Sequence, residues 1–165
     1  IIKDKKVKVG VNTHLTNKIV FEALKNRTIK NFAKIKIIDQ EVKFGLNTRF
    51  DFLVTEKKTK SFIEVKNVTL SRKKGIAEFP DAITSRGHKH LRELMKANEK
   101  GYKIYLLYLI QRDDCKIFKV ASDIDPEYYE NLLKALNKNL IILCYDCKFS
   151  SKGIKLNNKI KFVKK

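Results

Sequence analysis

The chain has 165 residues, of which 37 are Lys or Arg and 18 are Asp or Glu, and its formal net charge is +19. This length suits one well-buried domain and argues against two complete domains. The cationic excess favours a polyanionic partner, nucleic acid first, while a general lysine bias of the proteome is the competing explanation.

Membrane-bound, secreted and zinc-binding proteins fit the sequence poorly. No apolar run approaches the roughly 18 residues of a membrane span, and the N-terminus has no signal-peptide pattern. The chain also has no Trp to anchor a basic helix at a membrane surface. Three cysteines make no disulfide framework, and the C-x-x-C of Cys144 and Cys147 has no second ligand pair. The sequence therefore predicts a cytoplasmic protein without membrane contact.

The first eleven residues alternate Lys with Ile or Val, which is typical of a short, half-exposed strand. Asn12 or Thr13 can cap a helix that runs to about Arg27 and has an apolar stripe. Glu22 lies close to that stripe, and a helix glutamate at such a position is ordinarily solvated. Its candidacy as an acid presented toward a metal site comes from the family resemblance given below. Asn17, on the same helix, is a weaker candidate of the same kind.

Strand material is predicted over residues 32–44, followed by a turn at Gly45 and Asn47. Glu41 and Lys43 flank Val42 just before this turn. As an isolated charge near a strand end Glu41 is ordinarily solvated, and a role in supporting a metal site is what the family resemblance given below implies for it.

Two apolar strand-like runs between residues 49 and 70 contain carboxylates at unexpected positions. Asp51 lies between two Phe residues, and Glu64 lies between Ile and Val with Lys66 two residues on. We expect the runs to pair antiparallel around a polar turn at residues 55–61, which brings Asp51 near Glu64 and Lys66. Because Glu64 and Lys66 are two apart, their side chains leave the same face of the sheet.

Two carboxylates on neighbouring strands form a hard oxygen site that suits Mg²⁺ or Mn²⁺. Asp51 and Glu64 are the predicted direct ligands, and the carbonyl of Val65 is a third candidate. Lys66 can position an attacking water and offset charge on a phosphoryl group. The competing interpretation is a strand pair with edge charges and an ordinary Glu–Lys couple.

Basic residues surround this proposed site in the sequence. Arg72, Lys73 and Lys74 are predicted on a loop directly after the second strand. A helix capped by Thr84 or Ser85 then runs to about Asn98, and the free N–H groups of its first turn favour phosphate. The residues predicted to contact phosphates are Arg49, Arg72, Lys73, Lys74, Arg86 and Lys89.

Three further polar residues near this helix have less specific predictions. Asp81 follows Pro80 and either caps the chain locally or reaches a metal, with capping the expected role. His88 and His90 have no partners at zinc-ligand spacing, so we expect them to hydrogen-bond to the structure or to phosphate.

The second half of the chain predicts alternating strands and helices. Residues 102–110 are a continuous apolar run typical of a central strand buried on both faces. Asp125 and Pro126 start a helix, residues 140–145 form a second buried strand, and the basic tail forms a hairpin around Gly153 or Asn157. The predicted fold is α/β, a three-layer sandwich with a mixed central sheet.

The spacing D-x12-E-V-K resembles that of the PD-(D/E)xK nuclease-like superfamily. The runs EVKFGLNTRFDFLV, FIEVKNVTL and FPDAITSRGHKHLRELM resemble the sugar fermentation stimulation protein (SfsA) family, and the resemblance extends from about Gly10 to the C-terminus. It implies a restriction-endonuclease-like core over residues 1–165. The family's N-terminal OB-like domain has no counterpart here, which makes residues 1–11 a possible remnant or linker strand and the chain a fragment or a shortened relative.

The resemblance implies a non-specific DNA-binding protein with a regulatory part in sugar (maltose) metabolism and a retained divalent-metal site. Double-stranded DNA is the expected partner. The alternative is a Mg²⁺- or Mn²⁺-dependent endonuclease that uses Asp51, Glu64 and Lys66, supported by Glu22 or Glu41. A third class, a protein-interaction domain with an acidic partner, stays open, as do enzymatic activity and oligomeric state.

Overall fold

The structure is a computed structural model that describes residues 1–4, 7–10, 12 and 14–164. Its helices are α1 (His14–Lys25), α2 (Ser85–Glu99) and α3 (Pro126–Asn137), with a 3-10 turn at Lys30–Phe32. Its strands are β1 (Ile2–Asp4), β2 (Val7–Val9), β3 (Ile37–Phe44), β4 (Thr48–Glu56), β5 (Thr59–Val68), β6 (Leu70–Lys73), β7 (Ile76–Phe79), β8 (Lys103–Ile110), β9 (Ile117–Val120), β10 (Ile141–Ser150), β11 (Gly153–Lys159) and β12 (Lys161–Val163). In the described part of the chain, no helix is both long and apolar enough to cross a membrane.

A six-stranded mixed sheet forms the centre, in the order β11-β10-β8-β5-β4-β3. β8 lies parallel to both of its neighbours, whereas β3, β4 and β5 form an antiparallel meander. Seven of the eight side chains of β8 are buried, as expected for a parallel strand covered on both faces. The predicted mixed α/β architecture and its buried central strand are confirmed.

Two apolar clusters lie on opposite faces of this sheet. On one face α1 packs its buried stripe, including Val20 and Leu24, against β4, β5 and β8. On the other face α2 and α3 pack against the sheet through residues such as Leu91, Leu94 and Leu132. The central sheet is therefore covered on both sides.

A second, four-stranded sheet was not predicted. Its order is β12-β9-β7-β6, and its Phe118 and Ala77 join the cluster beneath α2 and α3. Residues 72–73, which the sequence placed on a loop, form the end of β6, and the β6–β7 turn lies at residues 74–75. Strands of three or four residues are too short for an alternating pattern to stand out from the sequence.

Several boundaries differ from the prediction. The polar turn of the central hairpin covers only residues 57–58, because residues 55–56 belong to β4 and residues 59–61 belong to β5. The strand predicted from residue 32 begins at residue 37, after the 3-10 turn. The first residues form two short antiparallel strands rather than one, and the tail hairpin turns just before Gly153.

Polar caps start the helices where the sequence indicated. The Asn12 side chain accepts a hydrogen bond from the N–H of His14, while the other predicted cap, Thr13, lies outside the described residues. The Thr84 hydroxyl accepts from the N–H of Gly87. The Asp125 carboxylate accepts from the N–H of Tyr128 and so caps α3.

Candidate functional site

Asp51 and its two hydrogen-bond partners join three elements at one place. Asp51 lies in the middle of β4, and its Oδ2 accepts a 2.7 Å hydrogen bond from the backbone N–H of Val65 in β5. Its Oδ1 accepts a 2.7 Å bond from the side-chain amide of Asn17 in α1. The weaker of the two candidates on α1, Asn17, therefore reaches the site.

Glu64 and Lys66 leave the same face of β5, as predicted, and meet a histidine from α2. The Lys66 ammonium lies 2.7 Å from Glu64 Oε1 and 3.2 Å from His90 Nδ1. His90 Nδ1 also contacts Glu64 Oε1. Because this nitrogen has one hydrogen-bonding site, it either donates to Glu64 or accepts from Lys66. Glu64 and His90 are both buried, at 2% and 5% exposed.

The two carboxylates have opposite electrostatic environments. Burial and the nearby Glu64 raise the pKa of Asp51 to about 6, although hydrogen bonds from Val65 and Asn17 oppose the shift. Burial also raises the pKa of Glu64, but Lys66 and His90 more than offset it, so that pKa lies below its usual value. Glu64 is thus the ionised carboxylate that disfavours ionisation of Asp51.

One oxygen of this pair lacks a partner. Glu64 Oε2 is buried and has no hydrogen-bond partner among the described residues. A buried carboxylate oxygen without a partner costs more free energy than an exposed one. Such under-satisfied groups concentrate at binding and catalytic sites.

Asp51, Glu64 and Lys66 line a pocket of about 480 Å³, here called the central pocket. Glu41 lies across from Asp51, between the paired positions Gln40–Phe52 and Val42–Phe50 of β3 and β4. Its carboxylate is exposed and lies 4.0 Å from the Arg49 guanidinium. The remaining lining residues are His14, Thr16, Asn17, Val65, Asn67, Phe79, Thr84 and Arg86.

Glu22 is not brought to this pocket. It is exposed on α1 and lines a separate small pocket with Lys155 and Leu156. It stands five residues after Asn17, and this offset turns it away from the face of α1 that meets β4. The prediction of Glu22 as a supporting acid is therefore corrected to Asn17.

The predicted phosphate contacts fall into two groups. Arg49, Arg86 and Lys89 line a second pocket of about 540 Å³, here called the basic pocket, together with Asn47, Ser85, His90 and Arg92. None of these lining residues, all within the described chain, is acidic. Arg86 lines the central pocket as well, so the two pockets adjoin at this residue.

Arg72, Lys73 and Lys74 belong to the other sheet and line neither pocket. The Arg72 guanidinium is bound by the carboxylates of Glu78 and Asp123. Contrary to the prediction, it is therefore not free to contact phosphate. Lys73 is exposed at the end of β6, and Lys74 is exposed in the turn that follows.

The other polar residues singled out from the sequence lie outside the central and basic pockets. His88 is buried against Asp125 at 2.8 Å, as expected for a hydrogen-bonding role. Asp81 is exposed and lines a third pocket with Glu78. Cys144 and Cys147 are buried in β10, and burial raises the pKa of the Cys147 thiol to about 12, so neither is a reactive thiolate.

The donor set fits a hard divalent cation with few protein ligands. In the part of the chain that the structure describes, no three His, Cys, Asp or Glu side chains group as a metal cage. Mg²⁺, however, commonly takes one or two carboxylates and keeps water on its other positions. The unpartnered Glu64 Oε2 and the raised pKa of Asp51 are both relieved by a nearby cation.

Arg92 was not among the predicted phosphate contacts, and the sequence placed Gln111 only at the exit of the buried strand, the sheet edge where ligands collect. Arg92 follows Lys89 and Arg86 at a spacing of three, which places all three on one helical face and could have signalled it. Gln111 is buried below the central pocket, where its amide donates to Thr16 and Asn67. Nothing in the sequence indicated that a residue at the end of β8 would reach back to α1.

Comparison with known proteins agrees with this architecture. A family profile described as "Sugar fermentation stimulation protein RE domain" matches residues 14–153. The chain is 54% identical over 163 residues to the sugar fermentation stimulation protein homolog of Pelagibacter ubique, covering 99% of this chain and 70% of that protein. It is 43% identical over 150 residues to the corresponding homolog of Ruegeria sp., covering 90% of this chain and 65% of the relative.

A solved structure of Pyrococcus furiosus SfsA in complex with Ca²⁺ has the same fold. It superposes with a TM-score of 0.89 at 23% sequence identity, covering 98% of this chain and 70% of that one. The chain thus spans about two thirds of the length of the relatives it matches. Since the family profile covers most of the chain, the chain belongs to the sugar fermentation stimulation protein (SfsA) family.

Proposed function

We propose that this protein binds DNA through its phosphates, without reading the base sequence, and holds Mg²⁺ or Mn²⁺ beside the bound backbone. Its core is then a restriction-endonuclease-like scaffold, in which β4 and β5 present the metal ligands. Double-stranded DNA is the expected form, because contacts made only to phosphates suit a regular duplex.

One observation carries this proposal: a pocket lined by cations adjoins a pocket lined by carboxylates. Arg86 belongs to both pockets. A pocket lined only by cations would bind any polyanion. A pocket lined only by buried carboxylates would repel a polyanion. A phosphate backbone and a divalent cation together satisfy both halves.

The metal ligands in this proposal are Asp51 and Glu64, with the carbonyl of Val65 as a third candidate. The oxygen available on Glu64 is the unpartnered Oε2, because Oε1 already accepts from Lys66 and contacts His90. The solved structure of Pyrococcus furiosus SfsA is a complex with Ca²⁺, which supports a hard-cation site in this fold. Glu41, across from Asp51 at the pocket rim, can bind a water of the hydrated ion.

A second candidate function is hydrolysis of the DNA phosphodiester, and the position of Lys66 favours it. Its ammonium is held by Glu64, and its side chain lines the central pocket and is only 11% exposed. There it can orient a water toward phosphorus and offset the charge that develops on the phosphoryl oxygens. A bound Mg²⁺ or Mn²⁺ supplies Lewis-acid polarisation of a phosphoryl oxygen. His90 keeps Glu64 and Lys66 in place and is a positioning residue.

The physiological part of the proposal rests on the family name. Relatives are named for stimulation of sugar fermentation. A regulatory role in sugar metabolism, maltose use included, is compatible with non-specific DNA binding but needs its own genetic test.

A binding assay and a cleavage assay, run side by side, test these functions. Anisotropy of labelled DNA is measured across a salt series, and plasmid and short single-stranded DNA are incubated with Mg²⁺ or Mn²⁺. The variants are Asp51→Asn, Lys66→Met and the double variant Arg86→Ala/Arg92→Ala, with Glu22→Gln as the matched control outside the pockets. We expect the arginine pair to weaken binding and to lower the salt slope by about 2.

The outcomes separate the two functions. Metal-dependent cuts that disappear in Asp51→Asn and Lys66→Met, with binding retained, establish hydrolysis. Salt-sensitive binding without cuts leaves a DNA-binding protein. Absence of both, in a folded protein, contradicts the proposal.

A further inference from the structure

The cleft that contains the central pocket has opposite charges on its two sides. On one side is the basic pocket, whose cationic lining residues are Arg49, Arg86, Lys89 and Arg92. On the other side is a third pocket of about 310 Å³, here called the acidic pocket, with Glu78 and Asp81 in its lining. The acidic pocket shares Asn67 and Phe79 with the central pocket, so the three pockets adjoin one after another.

No cation offsets the acidic pocket from within. Its other lining residues, all in the described chain, are Asn67, Val68, Thr69, Leu70 and Phe79. The neighbouring Arg72 is bound to both Glu78 and Asp123, so that group of three charges is net negative. Asp81 is exposed and adds a further negative charge.

This asymmetry limits how a nucleic acid can lie across the cleft. Successive phosphates of a strand carry negative charge at a short, regular spacing. A strand that crossed all three pockets would place phosphates on cations at one side and against carboxylates at the other. Like charges at such short range oppose binding, and they do so most at low salt.

We propose that the protein recognises the end of a DNA strand. The terminal phosphodiester lies in the central pocket, the following nucleotides run along the basic pocket, and the strand does not continue over the acidic pocket. This inference rests on the proposed function, because it assigns a substrate class to the same site.

Topology of the DNA tests the inference directly. The same short sequence is prepared as a linear molecule and as a covalently closed circle, each single-stranded and double-stranded. Binding is measured by competition in Ca²⁺, the ion of the related solved complex, so that the central pocket can hold a cation, and gel electrophoresis checks that the DNA stays uncut. We expect the linear form to bind about tenfold more tightly than the circle, since the circle must pass over the acidic pocket.

A charge substitution with a matched control identifies the cause. Asp81→Lys puts a cation into the acidic pocket, and we expect it to bring the circle close to the linear affinity. Asp39→Lys makes the same charge change at an exposed position of β3 that lines none of the three pockets. The control should leave the linear-to-circle ratio unchanged.

A bulky end block shows which end is recognised. Streptavidin is bound to a biotin at either the 5′ or the 3′ end of linear single-stranded DNA, and one block but not the other should abolish the preference for linear DNA. Equal affinity for linear and circular DNA, or insensitivity to both blocks, overturns end recognition while DNA binding stands. Failure of every DNA form to bind overturns the proposed function itself.

Discussion

Helix α2 inserts two buried histidines into two carboxylate clusters that differ in how well they are satisfied. His88 meets Asp125, whose oxygens also accept from the backbone N–H groups of Thr84 and Tyr128. His90 meets Glu64, whose Oε2 has no partner among the described residues. The two clusters use similar side chains on the same helix, yet only one is complete.

The pKa values of the aspartates in the two clusters also differ: that of Asp125 is lowered and that of Asp51 is raised. Burial raises the pKa of Asp125, but hydrogen bonds from Thr84, Tyr128 and His88 more than offset it and leave that pKa low. At the other cluster, burial and Glu64 raise the pKa of Asp51 to about 6. A complete cluster stabilises the fold, whereas a strained one costs stability, a cost commonly retained at functional sites.

The largest expected effect is that of Asp125→Asn. The amide replaces one acceptor oxygen by a donor, so a backbone N–H of Thr84 or Tyr128 loses its partner at the junction of α2 and α3. We expect a loss of about 3 kcal/mol in the free energy of unfolding, measured by urea denaturation. Asp123→Asn, at an exposed ion pair, should change the midpoint little, and an equal effect of both substitutions would contradict the assignment.

The same substitution at Asp51 should act in the opposite direction. Asp51→Asn can keep both hydrogen bonds if the Asn17 amide rotates to accept, and it removes a carboxylate that is costly to ionise beside Glu64. We expect a gain of about 2 kcal/mol at pH 7.5 in EDTA. A clear loss of stability would show that Asp51 is structural, like Asp125.

The pH dependence of that gain has a definite sign. A carboxyl whose pKa rises from 3.8 to about 6 on folding destabilises the fold only when the pH is high enough to ionise it. The difference between Asp51→Asn and the parent protein should therefore be full above pH 6 and vanish below pH 4. A difference that stays constant over this range would mean that the gain has another origin.

The smallest expected effect is stabilisation by divalent metal. Mg²⁺ or Mn²⁺ should raise the melting temperature by about 3 °C, because the ion binds only the folded site. Asp51→Asn and Glu64→Gln should lose this shift, while Glu22→Gln should keep it. A shift that survives in Asp51→Asn would place the ion elsewhere.

The chemistry of the cleft could be predicted from local sequence better than its surroundings. Asp51, Glu64 and Lys66 stood out because charged residues interrupt apolar strands, and strand periodicity then placed them together. The sequence favoured Glu22 over Asn17, and the structure reverses that order. Five residues along a helix rotate the side chain by about 140° beyond a full turn, and the docking angle of α1 is set by tertiary packing. The pairing of Arg72 with Asp123 joins residues far apart in sequence, and no local pattern reports it.

The fold likewise has features that local sequence predicts and features that depend on tertiary packing. The buried strand β8 and the caps Thr84 and Asp125 follow from local patterns. The second sheet does not, because its strands hold only three or four residues and are fixed by packing beneath α2 and α3.

Helix α2 has a consequence for how ligands affect one another. Its outward face presents Arg86, Lys89 and Arg92, while its inward face presents His90 to Glu64. A DNA strand would therefore contact the same helix that positions Glu64, a proposed metal ligand on β5. If either ligand changes the position of that helix, each must alter the affinity for the other by the same factor, since coupling between two binding sites is reciprocal.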